Sequence, residues 1–313
     1  MNKNKPNASV SLDLDNQWSY MKIHGDSGWE KYPTYLDTFV PYVLESLDKL
    51  KLKITFFIVG KDADDERNLN VLKQIPVHGH EIANHSYNHE SWFHLYSKEK
   101  ILEELESTER SLEKITDQKI NGFRGPGFSW SNDLLEILKS KNYLYDASTL
   151  PTYIGPLARL YYFQTANLSK DEKEERAELF GSFSDGFKKN KSYKWNLSNG
   201  QKLLEIPVTT IPIIKTPFHL SYLLYLARFS MPLMKSYLQF AISMCKLTKT
   251  EPSILLHPLD LIGGDKIPEL SFFPGMDLKS DVKKEIFYVA INKLSENFNL
   301  MNMSSHAQIL NNK

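Results

Sequence analysis

The chain has 313 residues, 41% hydrophobic and 24% charged, which is enough for one large α/β domain or two small ones with a packed core. Its 38 basic and 38 acidic residues cancel, so nothing in the charge points to nucleic acid as a partner. A lone cysteine, Cys245, excludes an intrachain disulfide, and no uncharged run reaches the length of a membrane span.

The opening MNKNKPNASV is polar and lacks the apolar stretch and small-residue cleavage site of a secretory leader, so the protein is expected to be cytoplasmic. Ser9–Asp15 reads as a short strand ending in carboxylates. Leu36, Phe39, Val40, Val43, Leu44, Leu47 and Leu50 recur at helical spacing, and Pro41 predicts that this helix kinks or begins there. Ile54–Val59 is a continuous apolar run closed by Gly60, the pattern of a strand buried on both faces. A helix is expected near residues 68–75, then a third strand at Glu81–Ala83 leading directly to His85. Ser97 can cap a helix with Ile101, Leu105, Leu112 and Ile115 on its apolar face. Gly122–Arg124 is a strand end, Ser131 caps a further helix, and Tyr143–Asp146, Leu204–Val208 and Ser253–His257 are strand-like.

Short apolar strands alternating with amphipathic helices predict a parallel α/β fold, and their number points to a barrel, complete or incomplete. The stretch 158–203, rich in Lys, Glu, Tyr and Ser, breaks the rhythm. It is expected to be an insertion or cap in a single domain spanning 1–313.

In such folds the residues just past the C-terminal strand ends line one common face. Asp13 and Asp15, His85 and His89, Arg124, Asp146 and His257 all fall at such ends. A His-x-x-x-His pair alone is a weak signal, and two ordinary histidines would explain it. Asp15 changes the balance: two imidazoles and a carboxylate suit Zn²⁺ or another divalent ion and leave a position open for water. Bound water then supplies hydroxide near neutral pH. Asp13 and Asp15 start on the same face of a strand, so one can bind the ion while the other accepts a proton. Arg124 either pairs with a buried carboxylate or lies at the surface of a tight turn. His257 is either a core histidine or a general acid.

Asp13-Leu-Asp15, His85-Ser-Tyr-Asn-His89, Arg124-Gly-Pro126 and Leu255-Leu-His257 resemble, in order and spacing, the motifs of the NodB-homology polysaccharide deacetylases. These are metal-dependent hydrolases on an irregular, often incomplete (β/α) barrel, and they remove acetyl groups from N-acetylated sugars. The resemblance covers residues 8–150 and resumes around 204–260. It implies that Asp13 is the general base, that Asp15, His85 and His89 hold the metal, and that Arg124 orients Asp13. His257 would be the general acid, and a backbone N–H near Gly127 would help hold the oxyanion. Trp18, Pro126, Gly127 and Phe128 are expected against the substrate. Trp18, Tyr20, Trp92 and Trp130 can stack on a sugar ring or simply pack over the barrel mouth.

The chain also departs from the common pattern. Leu14 separates aspartates that are usually adjacent, and Gly125 stands where many members have proline. The Asp-x-Asp form is similar to the branch acting on lipid-linked sugars, peptidoglycan or cyclic amides. The implied substrate is an N-acetylated or N-formylated amino sugar of cell-envelope glycan metabolism, polyprenyl-linked or free. A cyclic imide or ureide is the alternative within the same chemistry. A non-catalytic glycan- or membrane-binding protein is the alternative of another class.

No Asp or Glu lies between Ile206 and Thr250, while Lys215, Arg228, Lys235, Lys246 and Lys249 are basic. The apolar helical region 211–250 therefore suits either peripheral contact at the inner face of a membrane or helices packed on the barrel.

Overall fold

The computed structural model describes residues 5–155 and 183–312. Among these, nine strands form one sheet: β1 (Asn7–Leu14), β2 (Thr55–Ile58), β3 (Glu81–Asn84), β4 (Gly122–Phe123), β5 (Tyr145–Asp146), β6 (Tyr193–Asn196), β7 (Lys202–Glu205), β8 (Ser253–Leu256) and β9 (Asn299–Met301). Their order is β6-β7-β5-β4-β3-β2-β1-β8, with β9 paired to the start of β1. Only β6 runs antiparallel to its neighbour. The path is open at β6 and β8, so the barrel is incomplete. Just beyond β7, the Thr209 amide donates to the Ser253 carbonyl at 3.0 Å, drawing the two halves together.

β1 to β3 carry almost no exposed residue because helices cover both faces of the sheet. Parallel register puts Asp13 beside Phe57, Ile58 beside Asn84, Asn84 beside Phe123, and Phe123 beside Asp146. Every residue that follows these positions leaves the sheet on the same side.

Ser97 and Ser131 cap helices Lys98–Leu112 and Asn132–Ser140 as expected, their side chains accepting from the amides of Lys100 and Leu134. Pro41 does not start its helix, which runs from Leu36 to Lys49. The ring lies on the exposed side, as does Asp37, whose carbonyl loses its amide partner and faces water instead. Of the segment 158–203, residues 158–182 lie outside the described residues. Tyr193–Asn196 and Lys202–Glu205 form an antiparallel pair at the edge of the sheet.

In the region 211–250, helices Leu220–Phe229 and Met231–Leu247 bury Leu223, Leu224, Met234, Leu238, Ala241, Ile242 and Cys245 in the main core. Their outer faces expose Tyr225, Phe229, Leu233, Phe240 and Leu247. Among the described residues no helix is long and apolar enough to cross a membrane.

Candidate active site

Asp15, His85 and His89 come together at the ends of β1 and β3, each offering a ligand atom within 4.8 Å of the others. His85 directly follows β3. Its Nδ1 lies 2.7 Å from the Arg124 carbonyl oxygen, an atom that can only accept, so the proton sits on Nδ1 and the Nε2 lone pair faces Asp15. His89 enters the same space from a left-handed backbone position, φ 54°. Its Nε2 is 3.0 Å from Asp15 Oδ1, and that of His85 is 3.5 Å away.

Asp15 Oδ1 is buried and, among the described residues, its neighbours are these two ring nitrogens. The three atoms converge on one small space, a geometry that a shared cation would satisfy. Burial alone would raise the Asp15 carboxyl, but the imidazoles of His89 and His85 overcome it and hold the group far below the usual carboxylate range. Burial opposes charge on His85, yet Asp15 and Asp13 raise it above the ordinary imidazole value. The site accordingly favours a positive charge between these groups, and a divalent ion fits the donor set.

Asp13 lies beside this cluster and is bound by Arg124, whose Nη1 donates to Asp13 Oδ1 at 2.5 Å. Arg124 is wholly buried, so the expected pairing with a buried carboxylate holds. Nη1 also donates to Ser11 Oγ at 2.9 Å, Nε donates to the Ala147 carbonyl at 3.0 Å, and the guanidinium lies over the Phe57 ring at 4.3 Å.

The loop after Arg124 has its own reason for glycine. A Cβ on Gly125 would sit 1.9 Å from the Ser129 carbonyl oxygen. The Gly125 amide donates to Ser148 Oγ at 2.8 Å, and Ser148 donates to Asp146 Oδ1 at 2.6 Å. Proline would lack that N–H. Asp146 meets Glu205, and burial raises both carboxyls so that the pair retains a proton between them. Pro126 is buried, Phe128 is half-buried, and Gly127 is exposed at φ 60°, against Ser91 in the loop after His89.

Trp18 and Tyr20, like Pro126, are buried; Trp18 shows what that means for a stacking role. It is 1% exposed, so it offers no open ring face for a sugar. It packs edge-on to His89 with centroids 6.3 Å apart, and its Nε1 donates to Asp62 Oδ1 at 2.8 Å. Burial raises Asp62 to about 7 despite the hydrogen bonds from Asn16 and Trp18.

His257 follows β8. Its backbone amide donates to Asp260 Oδ2 at 2.9 Å, and its ring Nδ1 lies 3.7 Å from the same oxygen. Burial works against its proton, but Asp260 prevails and lifts it to about 9. The side chain keeps 27% exposure, so solvent tempers that rise. Nothing in the strand pattern singled out Asp260. The available signal was its place three residues after His257 in a Pro-containing turn. His219, also unassigned from the sequence, lies beside His257 with ring centroids 6.3 Å apart.

Residues 6–145 match the family model described as polysaccharide deacetylase. A peptidoglycan-N-acetylglucosamine deacetylase of Bacillus cereus is 30% identical over 142 residues, covering 44% of this chain and 61% of that protein. A chitooligosaccharide deacetylase of Sinorhizobium fredii is 28% identical over 97 residues, covering 31% of this chain and 44% of that protein. The chain thus spans less than two thirds of the length of these relatives. The crystal structure of a "putative polysaccharide deacetylase" from Mycobacterium smegmatis superposes with a TM-score of 0.57 at 17% identity, over 98% of this chain and 91% of that one. At that identity the likeness shows the fold alone.

Proposed function

Residues 6–145 of this chain belong to the polysaccharide deacetylase family, and from that premise we propose that it is a metal-dependent amide hydrolase removing an N-acetyl or N-formyl group from an amino sugar. The observation that carries this reading is the convergence of Asp15, His85 and His89 beside an Arg124-anchored Asp13. The peptidoglycan and chitooligosaccharide named for the relatives support an N-acetylated glycan, here proposed to be of the cell envelope, as the substrate class. The substrate is free or polyprenyl-linked.

A divalent ion, zinc by the match to two imidazoles and a carboxylate, would be held by Asp15, His85 and His89 and would supply a Lewis acid. Arg124 fixes Asp13 through Oδ1, which leaves Oδ2 to take the proton of the attacking water. The Phe128 and Ser129 amides are used within their loop, on the carbonyls of Gly125 and Pro126. The Gly127 amide is therefore the donor proposed for the oxyanion. His257, kept protonated by Asp260, gives its proton to the departing nitrogen.

The test is acetate release from peptidoglycan fragments and chitooligosaccharides by zinc-loaded protein, with metal content measured alongside. About one ion per chain is expected, as for a single three-ligand site. The His85→Ala/His89→Ala variant should lose both the ion and the acetate release. Absence of metal from both proteins, even after zinc is added, would sink the reading. Turnover of a cyclic imide with no acetate release would move the substrate to the other amide class.

Peripheral contact with anionic lipid through 211–250 is the second reading. Leu233, Phe240 and Leu247 follow one another at intervals of seven along one exposed side of their helix, flanked by Lys235 and Lys246. Co-sedimentation with phosphatidylglycerol vesicles, but not with phosphatidylcholine vesicles, is the expected result. Equal absence from both pellets would leave these helices as barrel packing only.

A further inference from the structure

His219 precedes helix Leu220–Phe229 and is 8% exposed. Its Nδ1 is buried with no hydrogen-bond partner among the described residues, an uncommon state for a polar side-chain atom. The ring sits edge-on to His257, interplanar angle 67°, and edge-on to Tyr222 of its own helix. The charged groups it faces are His257, Asp260 and Asp13.

Asp260 does not fix the His257 ring by itself. At 3.7 Å the Nδ1–Oδ2 contact is longer than a hydrogen bond and admits rotation. Beyond the capping box that His257 and Asp260 form, a further contact on the ring is the edge of His219. Burial, and then the positive charge of His257, hold His219 down at about 4, so near neutral pH it is uncharged beside a charged His257. A neutral imidazole takes the space that water would otherwise occupy beside the His257–Asp260 pair.

We propose that His219 is a positioning residue for His257, orienting its ring toward the substrate nitrogen and keeping water from the His257–Asp260 contact. The inference rests on the reading of His257 as the general acid. Asp13 and Asp15 also act on His257 from β1, and both remain in every variant considered.

The experiment uses the zinc-loaded full chain with 13C-labelled histidines, following the His257 Cε1–H titration by NMR, with kcat and KM measured across pH. His219→Ala opens the wall to water. His219→Asn does the same while supplying a good helix cap, which separates the two roles. His219→Phe keeps the wall. In the first two variants the His257 midpoint should shift by about one unit as water reaches the His257–Asp260 pair. Their kcat should drop about tenfold, with KM within about twofold, as for a misplaced catalytic group. His219→Phe should recover most of both. An unchanged His257 midpoint in His219→Asn would overturn the proposal and leave His219 as a packing residue at the start of its helix. Because the NMR titration needs no turnover, a shifted midpoint in a protein that releases no acetate would uphold the pairing and count against the deacetylase reading alone.

Discussion

Asp13→Asn lowers turnover by roughly 10²–10⁴-fold, the range for removal of a general base, while the protein keeps its metal. The amide is nearly the same shape as the carboxylate and still offers an oxygen to Arg124 Nη1, but it cannot take a proton from water. None of the three proposed metal ligands is changed, so metal content should match that of the wild type. Substrate binding should change little, placing the loss in kcat. Arg124 would face a neutral partner, yet Ser11 Oγ and the Ala147 carbonyl still accept from it. Unaltered kcat with one ion per chain would remove Asp13 from the chemistry. A loss of metal together with activity would recast it as a ligand.

Arg124→Met unfolds the protein far more easily, at a cost of about 3–5 kcal/mol, because Asp13 is left charged and buried without its counter-ion. In a chain of this size that is roughly 10 °C in Tm. Lysine is no substitute: one ammonium cannot reach Asp13, Ser11 and the Ala147 carbonyl along the separate directions of a guanidinium. The double variant Asp13→Leu/Arg124→Met should recover part of the loss, since it removes both charges and leaves neither unpaired. Urea denaturation of the two single variants and the double variant gives the coupling. A single-variant Tm close to wild type would mean that solvent or another group takes over the pairing.

The Asp13–Arg124 pair and the Asp15, His85, His89 cluster were legible because parallel strands deliver their C-terminal ends to one face. Once the strands were placed, residues more than a hundred positions apart had to meet. The partners that arrive from loops were not legible. Asp260 and His219 act on His257 through side-chain packing that no periodicity records. The two readings of Trp18 stayed open for the same reason. An aromatic just past β1 could face a ligand or the interior, and the choice depends on Asp62, which arrives after β2 to accept from its indole. The glycine at 125 departs from the family pattern, and locally its amide is tied to Ser148 while a Cβ there would run into the Ser129 carbonyl.

The site is also held from far along the chain. β9 pairs Asn299–Met301 with Asn7–Ser9, and the Met303 amide donates to Thr55 Oγ1 at 2.8 Å. Met303 Sδ lies 3.7 Å from Arg124 Nη2, and His306 Nδ1 lies 3.1 Å from Ser9 Oγ. The floor beneath Arg124 is thus laid by residues separated from β1 by nearly the whole sequence. Closing so long a loop is entropically costly before any contact rewards it, so the last strand and helix dock late in folding. During biosynthesis the proposed metal ligands and the proposed base are all made well before the segment that supports Arg124. A ribosome-bound chain can therefore present the ligand residues without yet having the rigid site.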